Sequence, residues 1–522
     1  MTEKRTSRRG FLKAVGAAAI CAWTAVRRCA ATWRGPTSDS DGLPDVGGDP
    51  ARHELRVLMK APEGLFRPTS TGCVVQWVPN GAVESRVLAG PTAKELDVVK
   101  QIISPDPSDI TLSSARPGGE FFFQMQYRRP GDGEWLARPV RRVQTQRSAG
   151  ESFSVALIAD SHVYHSHRVE ADMANLQKTC DRVLADRPDF VVFIGDEAGV
   201  HYLKDKPGFM NQQRAYERWE LWRNSFADVI ASIPTYMVLG NHEGEAGYYQ
   251  QHRMGKGPVG YLQRWGTIAR KRYCLNPLPD TYPEGGENED WKGDPASPAT
   301  GGGADGNASP LQNYYAWTWG DALFVVLDVH RYTNPGGGTP STVDQWTLGA
   351  AQMRWLDRVL TNSPARWKFV ITHHLVGGWE WNLRGDRKGG GYLYGRGGAK
   401  YARIGEQAQI TDLMNRTGAQ CVFYGHDHIF AHQKAEGIDF VCCGRPTYLN
   451  PQWWSKSAWK EAYGDVGKRN PNDFHAAIGY TRLTVSPQTV HVEYIRTGTD
   501  RAGRENVTTP EGQVVDRFSI ST

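Results

Sequence analysis

Residues 153–162 read Phe-Ser-Val-Ala-Leu-Ile-Ala-Asp-Ser-His, an almost wholly apolar run that stops on an aspartate and a histidine two places apart. A run without polar–apolar alternation describes a strand buried on both faces, as happens when both sides of a sheet are covered. The same grammar recurs down the chain. Run 190–194 ends in Gly195-Asp196, and run 236–239 ends in Gly240-Asn241-His242-Glu243. Run 368–372 ends in His373-His374, and run 421–424 ends in Gly425-His426-Asp427-His428. Helical patterns occupy 168–185, 212–231 and 345–361, so several of the connections are crossovers between parallel strands. Further strands are expected at 322–328 and 440–443, with a closing hairpin over 480–485 and 490–496. The fold class is therefore α/β, with helices flanking a pair of packed sheets.

In such sheets ligands gather at the carboxyl ends of the strands, where the loops converge. Asp, Asn and His supply the oxygen and nitrogen donors that divalent first-row metals prefer, and no thiolate is among them. A carboxylate that bridges two ions, with further donors for each, is what a two-metal hydrolase requires. Taken singly the signals are weak, since Gly-Asp after a strand is a common turn. Together, each at a strand end, they mark a metal centre.

These motifs resemble those of the calcineurin-like metallophosphoesterase superfamily: Asp-x-His, Gly-Asp, Gly-Asn-His-Asp/Glu, a strand-terminal His, and Gly-His-x-His. The resemblance covers 153–496 and implies a four-layer α/β/β/α metallophosphoesterase domain over 151–522. It further implies that Asp160, His162 and His428 hold one metal, that Asn241, His373 and His426 hold a second, and that Asp196 bridges both. His374 is the alternative to His373, although the family usually uses the first histidine of such a pair. His242 stands unligated over the site as general acid, and Glu243 either orients its imidazole or is a solvated loop carboxylate. The implied cofactors are two divalent ions, drawn from Mn, Zn, Fe and Co, and the implied chemistry is phosphate-ester hydrolysis by a metal-bridging hydroxide. His165, His167 and His201, and Arg384, Arg387 and Arg396, are read as surface residues that have a second reading as pocket lining.

Ahead of this domain, 53–148 carries short alternating runs at 54–59, 72–77, 84–88, 120–128 and 139–146, separated by turns such as Pro79-Asn80-Gly81. That pattern predicts an all-β immunoglobulin/fibronectin-III-like sandwich. The order of domains is similar to that of purple acid phosphatases. Their Gly-Asp-x-x-Tyr, whose tyrosine binds ferric iron, is absent: the register here is Gly195-Asp196-Glu197-Ala198-Gly199. The first motif also carries His162 where that family usually has glycine, which favours divalent ions over a purple Fe(III) centre.

The first residues read as an address. Ser7-Arg8-Arg9-Gly10-Phe11-Leu12-Lys13 precedes an apolar run over 14–26, so 1–31 is expected to be a twin-arginine signal peptide and the protein periplasmic or secreted. That run is shorter than the roughly 20 residues of a membrane span, so no stable membrane insertion is expected after cleavage. Residues 32–52 form a linker and 280–310 a long insertion. Beyond Cys21 and Cys29 in the signal, six cysteines read mainly as small core residues, with room for one disulfide. A net charge of +5 over 522 residues gives no reason to invoke nucleic acid, and the expected partner is a small phosphate ester. The 18 Trp, 21 Tyr and 17 Phe are read chiefly as anchors of glycine-rich loops at 379–394 and 453–459, with a substrate rim as the alternative. Phosphomonoester hydrolysis leads; a phosphodiesterase is the enzyme alternative, and a non-catalytic binding protein the alternative of another class.

Overall fold

The computed structural model describes residues 50–113, 116–164, 169–200, 211–244, 261–277, 313–329, 348–374, 404–435, 437–449, 474–500, 503 and 505–521. The signal, most of the linker, the 280–310 insertion and both aromatic loops lie outside the described residues. Among the described residues no helix is long and apolar enough to cross a membrane. Residues Glu54–Thr522 form one compact unit.

Two mixed sheets carry the fold. One runs in the order Val514–Ser521, Thr489–Gly498, Ile478–Val485, Phe153–Ile158, Phe190–Phe193, Thr235–Met237, Met59–Phe66, Gly72–Pro79, Ser108–Ser113. The other runs Tyr315–Trp319, Ala322–Val326, Trp367–Ile371, Cys421–Tyr424, Ile438–Cys443, Phe430–Ala435, Phe474–His475. Val155 and Leu157 pack between the sheets with Val192, Phe324 and Phe369. Ala156 and Ile158, on the opposite face, pack with Leu176, Cys180 and Trp222 of the helices Val169–Asp186 and Gln212–Ser225. Both faces of the strand are dry, which is why its sequence lacks alternation. The second sheet is covered in turn by Trp355 and Leu356 of Ala350–Asn362 and by Ile410 and Leu413 of Ile404–Thr417. The result is helix, sheet, sheet, helix.

Among the described residues, aromatic rings fill the space between the sheets. Tyr236 stacks on Trp317 at 3.8 Å, Trp317 on Phe324 at 5.1 Å, and Phe190 meets Phe324 edge-on at 5.2 Å. All six cysteines from Cys73 onward are buried free thiols, so among the described residues no disulfide contributes.

The N-terminal region is β-rich, with a core of Leu65, Val75, Trp77, Val87, Phe121, Phe123 and Met125. One of its sheets joins Glu95–Ser104, Val83–Thr92 and Glu120–Arg128, with Leu136–Ala137 and Arg141–Gln144 pairing to the last. The facing strands belong to the nine-stranded sheet, because Met59–Phe66 runs parallel to Thr235–Met237 and pairs with it at Phe66↔Thr235. The run at 54–59, expected as a strand, is mostly the helix Pro50–Leu58. Leu55 and Leu58, three apart, are buried while Glu54 and Val57 are exposed, a helical spacing that the short run at 54–59 disguised. The helix expected over 212–231 breaks at Phe226 into Gln212–Ser225 and Ala227–Ser232.

Arg223 ties this region to the rest. Its fully buried guanidinium donates to Pro62 O at 2.9 Å, Gln76 O at 2.9 Å and Gln76 Oε1 at 3.2 Å, and also to Tyr273 O. It lies over the Phe66 ring at 4.8 Å, and burial pushes its pKa down to about 10. Gly64 is required beside it, since a Cβ there would fall 2.3 Å from Arg223 Nη2. Arg223→Met strands these acceptors in a dry interior and is expected to destabilise the protein by about 3–5 kcal/mol. Chemical denaturation of the two proteins measures the difference.

Candidate metal centre

The polar clusters close over the carboxyl ends of the strands in a backbone conformation that few residues tolerate. Asp160 (φ 56°), His162 (φ 44°), Asp196 (φ 55°), His426 (φ 71°) and His428 (φ 61°) are all left-handed. Such residues cost on the order of 1–3 kcal/mol each and persist where surrounding structure over-determines them. Here the loops hold one another. Asp160 N donates to Gly195 O and His162 N to Asp196 O, both at 3.0 Å, and Gly425 N donates to His373 O at 3.1 Å. His426 N donates to Asp160 Oδ2 at 2.7 Å, and His242 N donates to Asp196 Oδ1 at 2.8 Å. The loops approach too closely for any side chain at Gly240, where a Cβ would lie 2.2 Å from Asp196 N.

Two donor groups result: Asp160, His162, Asp196 and His428 in one, and Asp196, His373 and His426 in the other, each with ligand atoms mutually within 4.8 Å. Asp196 belongs to both. Asn241 joins the second, its Oδ1 3.2 Å from His373 Nε2. Asp160 Oδ1 and Asp196 Oδ2 are buried and accept no hydrogen bond. Yet His428 Nε2 lies 3.3 Å from the former, and His373 Nε2 and His162 Nε2 lie 3.2 and 3.7 Å from the latter. Two buried carboxylate oxygens facing several converging imidazole nitrogens fit a divalent cation in their midst. The electrostatics agree. Burial pushes the Asp160 carboxyl up to about 6, against the opposing pull of His373, Arg445 and the His426 N–H. Burial alone would lower His373, but Asp196 and Asp160 drive it up to about 10, an excess of local negative charge that a cation would relieve.

The seven expected ligands are thus brought together. Of the histidine pair it is His373 that joins the group. His374 is buried against the His426 ring at 4.0 Å. His242 meets His162 edge-on at 4.7 Å, with its side chain 14% exposed and its Nε2 3.5 Å from Asp196 Oδ2. His165, His167, His201, Arg384, Arg387 and Arg396 lie outside the described residues. His432 pairs with Asp439 at 2.8 Å and His475 with Asp516 at 3.3 Å, both outside the donor groups.

Glu243 matches neither expected role. It is buried, and its carboxylate accepts from Asp196 N at 2.9 Å, Gly240 N at 3.0 Å and Gly199 N at 2.7 Å. It therefore clamps the Gly-Asp loop to the Gly-Asn-His-Glu turn. Burial, then the Asp196 charge, raises its carboxyl above the usual range, while the amides pull it back. Gly199 supplies one of those amides. Glu243→Leu orphans three buried N–H groups and is expected to destabilise the fold by about 3–5 kcal/mol, with Glu243→Gln milder. Thermal melts of both variants test this ordering.

Arg445 carried no sequence signal. It is fully buried, donates from Nη1 to His428 Nδ1 at 2.9 Å and from Nε to Thr447 Oγ1 at 3.1 Å, and covers the Tyr448 ring at 3.7 Å.

Comparison with known proteins agrees with this site. The profile described as calcineurin-like phosphoesterase matches residues 153–430, and the chain belongs to that family. It is a metal-dependent hydrolase of phosphoric esters. Among solved structures, one described as the structure of PhoD superposes with a TM-score of 0.60 at 14% identity, covering 89% of this chain and 90% of that one. The purple acid phosphatase PPD1 from yellow lupin (Lupinus luteus) seeds gives a TM-score of 0.55 at 14% identity, covering 88% of this chain and 74% of that one. At such identities the likeness is one of fold. No curated protein sequence matches.

Proposed function

We propose that the protein is an exported, two-metal phosphomonoesterase. The observation that carries this is Asp196, one carboxylate shared by two donor groups. Asp160, His162 and His428 would hold one divalent ion, and Asn241, His373 and His426 the other. When bound, such a pair supplies Lewis acidity for phosphoryl oxygens and a water acidic enough to ionise near neutral pH. The protein contributes the rest. Asp196 Oδ1 fixes the backbone of His242, so the imidazole stands at the open side of the centre. There its proton is available to the departing ester oxygen, the role of a general acid. Glu243 holds the two loops in register. Six buried free thiols suit a chain that folds before export through the signal at Arg8-Arg9.

The test uses mature protein stripped of metal and reloaded singly with Mn, Zn, Fe or Co, assayed on p-nitrophenyl phosphate and bis-p-nitrophenyl phosphate. Metal-dependent turnover that favours the monoester is the expected result. Preference for the diester would replace this reading with a phosphodiesterase, and failure to bind metal would overturn it.

A further inference from the structure

The two histidines that anchor the opposite halves of the centre are wired in opposite senses. His373 presents Nδ1 to the Ile194 carbonyl at 2.7 Å. A carbonyl only accepts, so His373 carries a proton on Nδ1, which leaves Nε2, facing Asp196 and Asn241, as its ligand atom once a cation is bound. That is the usual arrangement behind a metal-ligating histidine, and it raises the basicity of the ligand. Behind His428 stands the reverse. A guanidinium only donates, and Arg445 Nη1 donates to His428 Nδ1 at 2.9 Å. The lone pair of His428 is therefore spent on Nδ1, and its proton sits on Nε2, directed at His162 Nε2 3.1 Å away. The atom that should serve as ligand carries a hydrogen.

Nothing allows Arg445 to step aside cheaply. Its side chain is fully buried, with Nε held by Thr447 Oγ1, which in turn donates to Ser161 O at 3.0 Å. It makes no ion pair among the described residues, and its Nη2 has no hydrogen-bond partner. A buried guanidinium without a carboxylate is costly, and its charge is felt by Asp160 of the same half. An arginine kept here at that cost has a reason to face this histidine.

We propose that Arg445 makes the two metal positions unequal. By occupying Nδ1 of His428 it weakens the Asp160–His162–His428 half, which fills last and empties first, while the half containing His373 keeps its ion. A ligand on His428 Nε2 needs the other tautomer, whose Nδ1–H would confront a donor that cannot accept. The inference rests on the two-metal reading above. It makes Arg445 a positioning residue that acts through His428.

Metal-free, full-length mature protein titrated with Zn²⁺ alone, and separately with Mn²⁺ alone, against a competing chelator should show one tight and one weak step. In a His162→Ala background the weak step should vanish, which assigns it. Arg445→Gln places a carbonyl oxygen behind His428 and gives it the wiring of His373. The weak step should then tighten by about 10–100-fold, the usual reach of groups behind a ligand. A packing role predicts the opposite, a looser site. Two equal steps in the wild type, or an Arg445→Gln step unchanged or weaker, would overturn the proposal. Should that variant not fold, the ring nitrogens of ¹⁵N-histidine-labelled wild type decide: His428 must be protonated on Nε2 in the metal-free protein, and protonation on Nδ1 sinks the idea. Binding of no metal at all would instead defeat the two-metal reading itself.

Discussion

Asp196→Ala is expected to lower phosphomonoester turnover by at least about 10³-fold and to reduce bound metal in both positions. Asp196 Oδ2 is the oxygen on which His373, His242 and His162 converge, at 3.2, 3.5 and 3.7 Å. No neighbouring carboxylate belongs to both donor groups, so nothing described can replace it. Charge stabilisation by a bound cation is worth several kcal/mol in a phosphoryl-transfer transition state, and about 1.4 kcal/mol is a factor of ten. Losing it in both halves therefore exceeds a thousandfold. The loss of Oδ1 adds a second effect, since the His242 backbone loses its acceptor. Elemental analysis separates the causes. Reduced metal with folded protein fits the shared-ligand role, whereas full metal content with low activity would mean that Asp196 acts otherwise.

The second large effect depends on the leaving group. His242→Ala should cut turnover of an alkyl phosphate by about 10²–10⁴-fold, the range typical of general acid catalysis. On p-nitrophenyl phosphate, whose phenolate departs without a proton, the loss should be about tenfold or less. His242 keeps 14% side-chain exposure while His373 and His162 keep 0% and 2%. His428 is equally exposed but belongs to a donor group, whereas His242 belongs to neither and is left to meet a substrate oxygen. Equal losses on both substrates would show that His242 shapes the site rather than moving a proton.

How much of this was readable from residues alone follows from which interactions are local. Each ligand sits at the end of an apolar run, so strand and donor were legible together at 153–162, 236–243 and 421–428. The left-handed backbone at Asp160, His162, Asp196, His426 and His428 left only a faint trace, the neighbouring glycines at 195 and 425. Glu243 was ambiguous because its three partners are backbone amides, which no side-chain pattern reports. Arg445 was invisible. It lies 17 positions from His428 in Gly444-Arg445-Pro446, a sequence with the look of an ordinary turn. The N-terminal sandwich was legible as alternation, yet alternation cannot say which strand a given edge will pair with. Met59–Phe66 finds its parallel partner at Thr235, well over a hundred residues away.

That pairing has a consequence for how the molecule could be cut or inherited. Thr235–Met237 is an interior strand because Met59–Phe66 lies alongside it, and a fragment starting at the signature run would bare its edge at Thr235, while Met237 keeps Asn276 and Tyr315. Raw sheet edges of that kind recruit other chains. The β-rich segment is thus less an appended module than a selvedge, the woven border that keeps the catalytic cloth from fraying. Fusion partners and shuffled halves belong outside it, before Glu54, and not at the seam where its own strands end.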